Sequence, residues 1–407
     1  MVTDSKLPAR AWLVVALLWL VGALNYLDRV IVTTMRTSLV DAIPMTDAQY
    51  GLLTSVFLWV YAGLSPFAGF LADRFNRSRV IVISLFAWSA ITWLTAHATT
   101  FDQLLLSRAL MGVSEACYIP AALALIADYH RGATRSLATG IHMSGIMVGS
   151  GLGGFGGWLA ERNGWAHAFE IFGLFGILYT VVVLLVLRDR PRSETDLGAA
   201  APAGVKFLPA VASLFRERSY VLILAYWGLL GLAGWAVVGW MPTFLLERFH
   251  LSQGTAGFTA TGYLQAAALV GVLLGGFWAD RWSLTNPRGR IYVPLLGLVV
   301  AAPAILLVAT ISWLPLAIAG LVVFGVAKAF ADTNMMPILC LIADPRYRAT
   351  GYGILNFLSC LIGGLTIYAG GLLRDANVDV ARVFQFAALT LLICAGMLYA
   401  LKPRPAA

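Results

Sequence analysis

Charge is what this chain of 407 residues has least of: Asp, Glu, Lys and Arg together make up 12% of it, against 60% hydrophobic residues. A soluble domain carries about 25% charged residues, so a water-covered globule is excluded. Cysteine is scarce as well. Cys117, Cys340, Cys360 and Cys394 all fall in apolar stretches without paired spacing, which reads as small buried hydrophobes and not as a disulfide framework or metal site. No Gly-Lys-Ser/Thr loop is present to cradle a nucleotide phosphate, and no His/Cys cluster has ligand spacing. Neither catalysis, nor a cofactor, nor a metal is expected.

Long apolar runs are there in abundance. They occupy 11–32, 50–72, 80–98, 104–127, 137–160, 166–187, 220–246, 256–279, 291–311, 314–342, 350–372 and 380–401. Each approaches the roughly 20 residues that a helix needs to cross a bilayer. The expected fold class is therefore an all-α membrane protein of twelve transmembrane helices. The first run is too long for a secretory signal and lacks a cleavage site.

The net charge of +8 suggests nucleic acid until its distribution is read. With the N-terminus placed in the cytoplasm, 20 of the 28 basic residues fall on the cytoplasmic side, five outside and three within helices. That bias is the positive-inside rule, so the basic excess is a topology signal and no nucleic-acid partner is expected. Both termini are expected in the cytoplasm of a multi-pass protein of a bacterial inner membrane.

One polar stretch, with "RPRSETDLGAAAPAG" (190–204) at its centre, divides the chain. The expected units are a six-helix half at 1–187, a cytoplasmic linker at 188–218 and a second six-helix half at 219–407. The halves echo each other. "GFLADR" (69–74) returns as "GFWADR" (276–281), and "PAALALIAD" (120–128) returns as "PILCLIAD" (337–344). A carboxylate among arginines at a helix end can clamp a neighbouring helix terminus. Gly69, Asp73, Arg74 and Arg77, with Gly276, Asp280 and Arg281, are the expected gating residues.

These motifs resemble the major facilitator superfamily: "GFLADRFNRSR" (69–79) looks like its signature loop between the second and third helices, with Gly69, Asp73 and Arg74 in place and Arg77 and Arg79 following. "NYLDR" (25–29), with "SRALMGVSEACYIP" (107–120), is similar to the anion:cation symporter and Spinster-like branches; "ADYHRGATRSLATG" (127–140) leans to the latter. "GWAHAF" (164–169) departs from the symporter pattern, with Ala166 where an arginine is usual. "GIHMSGIMVGSGLGGFGGWL" (140–159) resembles the glycine-rich fifth helix of facilitator antiporters but lacks their proline. The resemblance implies two pseudosymmetric halves that rock about a central site.

Six ionisable residues fall deep within the apolar runs: Asp28, Arg29, Arg108, Glu115, Lys328 and Asp332. Unpaired, each costs roughly 2.5–3.5 kcal/mol at mid-bilayer, but their charges sum to zero, so the set can neutralise itself. Arg108 and Glu115 share one stripe of the fourth helix, and Lys328 and Asp332 stand one turn apart on the tenth. Asp28 and Arg29, about 100° apart on the first helix, cannot face the same partner. Asp28 is expected to face the cavity and Arg29 a neighbouring helix, following the branch resemblance.

A neutral cluster that gains a proton turns positive and favours an anion, which is the coupling that symport requires. The expectation is an alternating-access transporter, monomeric in the bilayer, moving a small organic anion such as a monocarboxylate or sugar acid with protons. Asp28 and Glu115 are the expected proton carriers, and Arg108 and Lys328 the anion holders beside Asp332. Asn25, Tyr118, His142, Trp235, Tyr263, Gln265, Asn334 and Asn356 are the candidates for orienting the substrate. The alternatives are Spinster-like movement of a lysolipid or other amphiphile, and proton-coupled efflux.

Overall fold

Apolar side chains leave backbone amides no partner in lipid except one another, so the chain resolves into helices. The structure, a computed structural model, describes residues 9–130, 134–189, 207–344 and 347–401, without the side chains of residues 66, 69–74, 207, 208 and 349. Before the linker come α1 (Ala9–Ile31), α2 (Arg36–Ala42), α3 (Asp47–Arg74), α4 (Arg77–Thr95), α5 (Phe101–Glu115), α6 (Tyr118–Tyr129), α7 (Arg135–Leu152), α8 (Gly154–Asn163) and α9 (Trp165–Val186). After it come α10 (Phe207–Arg216), α11 (Arg218–Phe249), α12 (Gln253–Phe258), a π-helical turn (Thr259–Tyr263), α13 (Leu264–Ser283), α14 (Gly289–Thr310), α15 (Leu314–Ile342), α16 (Arg348–Asp375) and α17 (Ala381–Ala400).

With α5 and α6, α7 and α8, and α12 and α13 each read as one interrupted rod, twelve long segments appear among the described residues. Ten are long and apolar enough to cross a membrane; the other two are α3 and the α7–α8 rod. The interruptions have local causes. Pro120 has no N–H for the carbonyl of Ala116, and α5 stops at Glu115. Gly153 separates α7 from α8. Neither this break nor the π turn was legible in the sequence. Within the expected linker, Phe207–Arg216 is helical and buries Ala210 and Leu214.

The first and last sets of segments meet at the end of the bundle away from the linker. There Ser55 Oγ donates to the Gly364 carbonyl at 2.7 Å, and Trp59 Nε1 donates to that of Leu361 at 3.2 Å. On a second seam, α7 and α8 against the π-helical turn and α12, Thr261 Oγ1 donates to the Gly151 carbonyl at 2.8 Å, and Glu161 accepts the Gly254 N–H at 2.9 Å. Glycine permits these approaches: a Cβ on Gly154 would stand 2.8 Å from Phe258 Cα, too close for a real one. That end is therefore closed, and a cavity opens behind it.

Of the expected gating residues, Gly69, Asp73 and Arg74 have side chains outside those described. Arg77 bonds Asp128 on α6. Asp280 pairs with Arg290 at 2.9 Å, and Gly276 lies near Thr333 Oγ1 on α15.

Candidate functional site

Helix α1 carries three polar residues in its last two turns, and all three are buried: Asn25, Asp28 and Arg29. A helix end leaves carbonyls without partners. Arg108, fully within the protein on α5, supplies donors to them: Nη1 to the Asp28 carbonyl at 3.2 Å and Nη2 to that of Arg29 at 3.4 Å. Its Nε donates to the Leu53 carbonyl at 3.4 Å. Arg108 thus ties α1, α3 and α5 together, and a cation at a helix C-terminus also complements its dipole.

Glu115 takes a different partner from the one its stripe suggests. Arg29 Nε donates to Glu115 Oε2 at 2.7 Å, with the two side chains 4% and 0% exposed. The guanidinium also lies over the rings of Tyr26 and Tyr61, 4.5 and 4.3 Å from their centroids. Its Nη2 has no hydrogen-bond partner, nor has Glu115 Oε1. Asn25 lies beside Glu115 without hydrogen-bond geometry to it. Asp28 turns the other way, toward α4, where Thr92 Oγ1 donates to its Oδ2 at 3.3 Å while Oδ1 is unpartnered.

The central cavity, of about 310 Å³, is lined by α1, α7, α11, α13, α15 and α16. Arg29 reaches it and Asp28 does not, which reverses the expected orientation of that pair. The reason is the rotation of α1: α7 packs along one side of it, and close approach of Gly145 and Gly149 to Trp19 and Ala23 sets which face remains free. Lys328 and Asp332 line the cavity from α15 and bond each other at 2.8 Å, as their spacing predicts.

Trp235 and Gln265 also line it. Arg108, Glu115, Asn25, Tyr118, His142, Tyr263, Asn334 and Asn356 are not among its lining residues. Tyr118 and His142 converge on one backbone atom, the Leu18 carbonyl, at 2.9 and 3.1 Å. Asn334 Nδ2 donates to the Phe330 carbonyl at 2.9 Å. Asn356 is half-buried and Tyr263 is 50% exposed. The sequence reading missed Tyr26, Ser150, Trp227, Phe324 and Ser359, which line the cavity. Tyr26 sat within the quoted "NYLDR"; the others carried no signal, since aromatic and small residues fill every apolar run here.

The lining is chiefly apolar, with Leu230, Val237, Val238, Leu264 and Phe324 spanning between the charged groups. Two cations thus face an oily chamber. One is shared with a buried carboxylate and the other is held by a half-exposed one.

The family profile described as Major Facilitator Superfamily matches residues 18–367 and 229–407. A curated relative, an MFS-type efflux pump of Mycolicibacterium smegmatis, is 28% identical over 97% of this chain and 91% of its own length. The sphingosine-1-phosphate transporter SPNS2 of Mus musculus is also 28% identical, over 93% of this chain and 73% of its own. A solved bacterial homologue of the human lysosomal transporter Spinster, in an inward-facing and unoccupied conformation, superposes with a TM-score of 0.79. It is 24% identical and covers 99% of this chain and 100% of that one, which speaks for the fold.

Proposed function

The chain belongs to the major facilitator superfamily as a multi-pass membrane transporter of Spinster-like resemblance, and we propose that it moves an organic anion with an apolar body together with protons. The observation that carries this reading is the double engagement of Arg29, bonded to Glu115 on one side and lining the cavity on the other. While Glu115 is ionised, it neutralises Arg29. A proton on Glu115 weakens that bond and leaves the guanidinium, with its unpartnered Nη2, free to hold an anion. Proton and anion then favour each other's binding, and by linkage the effect is reciprocal.

Asp28 is the second proton acceptor in this scheme, buried beside the same cluster with one oxygen unpartnered. Arg108 serves it indirectly, by fixing the end of α1. Lys328 supplies the second counter-charge from the opposite wall. Access to the two faces alternates as the two six-helix halves, 1–187 and 219–407, rock about the cavity.

The apolar lining favours an amphiphile over a hydrophilic sugar acid, because an apolar wall gives a hydrated body nothing in return for its lost water. The relative named as a sphingosine-1-phosphate transporter supports the same choice. The test uses proteoliposomes given a pH gradient and either a labelled single-chain lysophospholipid or a labelled monocarboxylate. The reading expects gradient-driven accumulation of the lysophospholipid. Accumulation of the short acid alone would overturn the amphiphile assignment, and transport indifferent to the gradient would overturn the coupling.

A further inference from the structure

Away from the central cavity, a second concavity of about 450 Å³ lies on the outer surface of the first six segments, between α4 and the junction of α5 with α6. From α4 it is lined by Arg79, Val80, Ile83 and Ala87, which recur at three- and four-residue spacing and so form one stripe. Val113 and Cys117 form the opposite wall. Ile83 is 67% exposed and Val113 is 49% exposed, so the stripe faces lipid. Its length of two turns beyond Arg79 is about 12 Å, most of one leaflet's share of a ~30 Å hydrocarbon core.

One end of the groove is charged. Arg79 lies in the first turn of α4, at the end of the bundle where the linker attaches, and it is exposed. Its neighbours' polar groups are already engaged: Asn76 caps α4 by accepting the Arg79 N–H at 3.1 Å, and Arg77 is bonded to Asp128. The Arg79 guanidinium itself has no ion pair or side-chain hydrogen bond among the described residues. A free cation thus stands at the interfacial end of an apolar groove that runs toward the membrane centre.

We propose that this groove binds one acyl chain of an anionic phospholipid from the linker-side leaflet, with its phosphate held by Arg79. A guanidinium matches phosphate oxygens in a two-pronged geometry, and the wall below it is chiefly apolar, with the Ser84 hydroxyl spent on the Ser114 carbonyl. A zwitterionic lipid fits the groove equally but brings an ammonium that offsets the phosphate. The site therefore selects by net headgroup charge. It is independent of the central cavity and of whatever that cavity carries.

The test is native mass spectrometry of the purified full chain, relipidated with equal amounts of phosphatidylglycerol and phosphatidylcholine of identical chains. The expected result is one retained phosphatidylglycerol, favoured about fivefold, the preference that one interfacial arginine supplies. Arg79→Gln, at an exposed position, should bring that ratio to about unity with the melting temperature in phosphatidylcholine unchanged. Ala87→Trp, which fills the groove, should remove the retained lipid while Arg79 is still present. Glycerol phosphate without chains should not displace it. Equal retention of both lipids by the unaltered protein, a ratio unmoved by Arg79→Gln, or displacement by the chainless headgroup would each overturn the proposal.

Discussion

Arg29 donates its Nε–H to Glu115 Oε2 at 2.7 Å, joining the last turn of α1 to the last turn of α5. Neither side chain has more than a trace of exposure. Breaking such a buried pair by truncation costs about 3–5 kcal/mol, because the surviving charge is left uncompensated. Glu115→Ala should therefore unfold at a clearly lower temperature in detergent. Glu115→Gln keeps an oxygen for the guanidinium and should fold. It should lose pH-driven accumulation while retaining exchange of labelled substrate across the membrane. Full accumulation by Glu115→Gln in proteoliposomes would rule out its role as proton acceptor.

The two arginines near this pair are expected to behave differently. Arg29 lines the cavity, whereas Arg108 is spent on backbone carbonyls of Leu53, Asp28 and Arg29. Arg29→Gln should weaken substrate binding by roughly 10- to 100-fold, the loss of one hydrogen bond to a charged group, about 1.5–3 kcal/mol. Arg108→Gln should lower the melting temperature, as loss of either buried arginine does, but leave the affinity of the folded fraction within a few-fold. Titration calorimetry with both variants decides between them. A larger affinity loss at Arg108 would mean that the anion contacts it in another state of the transport cycle.

On α15, Asp332 is 40% exposed and Lys328 is 19% exposed. A pair that is partly exposed to an open cavity tolerates loss of one member better than a fully buried one. The expected outcome for Asp332→Asn is a folded protein that binds its anion more tightly, since Lys328 no longer shares its charge. Lys328→Gln should bind more weakly. If Asp332→Asn cannot be purified as a monodisperse protein, the pair is a structural brace.

The closed end of the bundle has its own latch. Asp375, the last residue of α16, accepts the N–H groups of Asp47 and Ala48 at 2.8 and 2.9 Å, capping α3 from the far end of the chain. Arg374 adds a bond to Asp47 at 3.1 Å and a two-pronged one to Glu247. The bonds to Asp47 and Ala48 exist only while α3 and α16 touch, whereas the Arg374–Glu247 pair joins α16 to α11 within the second half. Asp375→Ala, which removes both charge-assisted bonds, should shift the population toward the state open at that end by at least about tenfold. Spin-label distances between the ends of α3 and α16 would report it, and an unchanged distribution would deny the latch any bias.

Packing of α7 on α1 offers a test that involves no charge. A Cβ on Gly149 would overlap the Ala23 backbone, which has nowhere to move. Gly149→Ala should cost about 1–3 kcal/mol through overpacking and should disturb the placement of Arg29, three turns of packing being shared. Gly140, whose Cβ would meet nothing within 4 Å, is the matched control. Equal melting temperatures for the two alanine variants would contradict the close approach.

The sequence by itself determined the environment, the helical class, the internal echo of the two halves and the self-neutralising set of six charges. Each follows from composition or from spacing along one helix: Lys328 and Asp332, one turn apart, had only to be helical to meet. It could not determine which of Asp28 and Arg29 faces the cavity. In a soluble helix, the polar face marks solvent and fixes the rotation; in α1, lipid-facing and protein-facing residues are alike apolar, so nothing along the chain indexes that rotation. Tertiary packing set it, through glycines on α7 pressed against α1. The same rotation took Glu115 away from Arg108, its neighbour in the stripe, and gave it to Arg29, 86 residues distant. Arg108 was left to the carbonyls at the end of α1, because buried backbone groups must find donors wherever the fold supplies them.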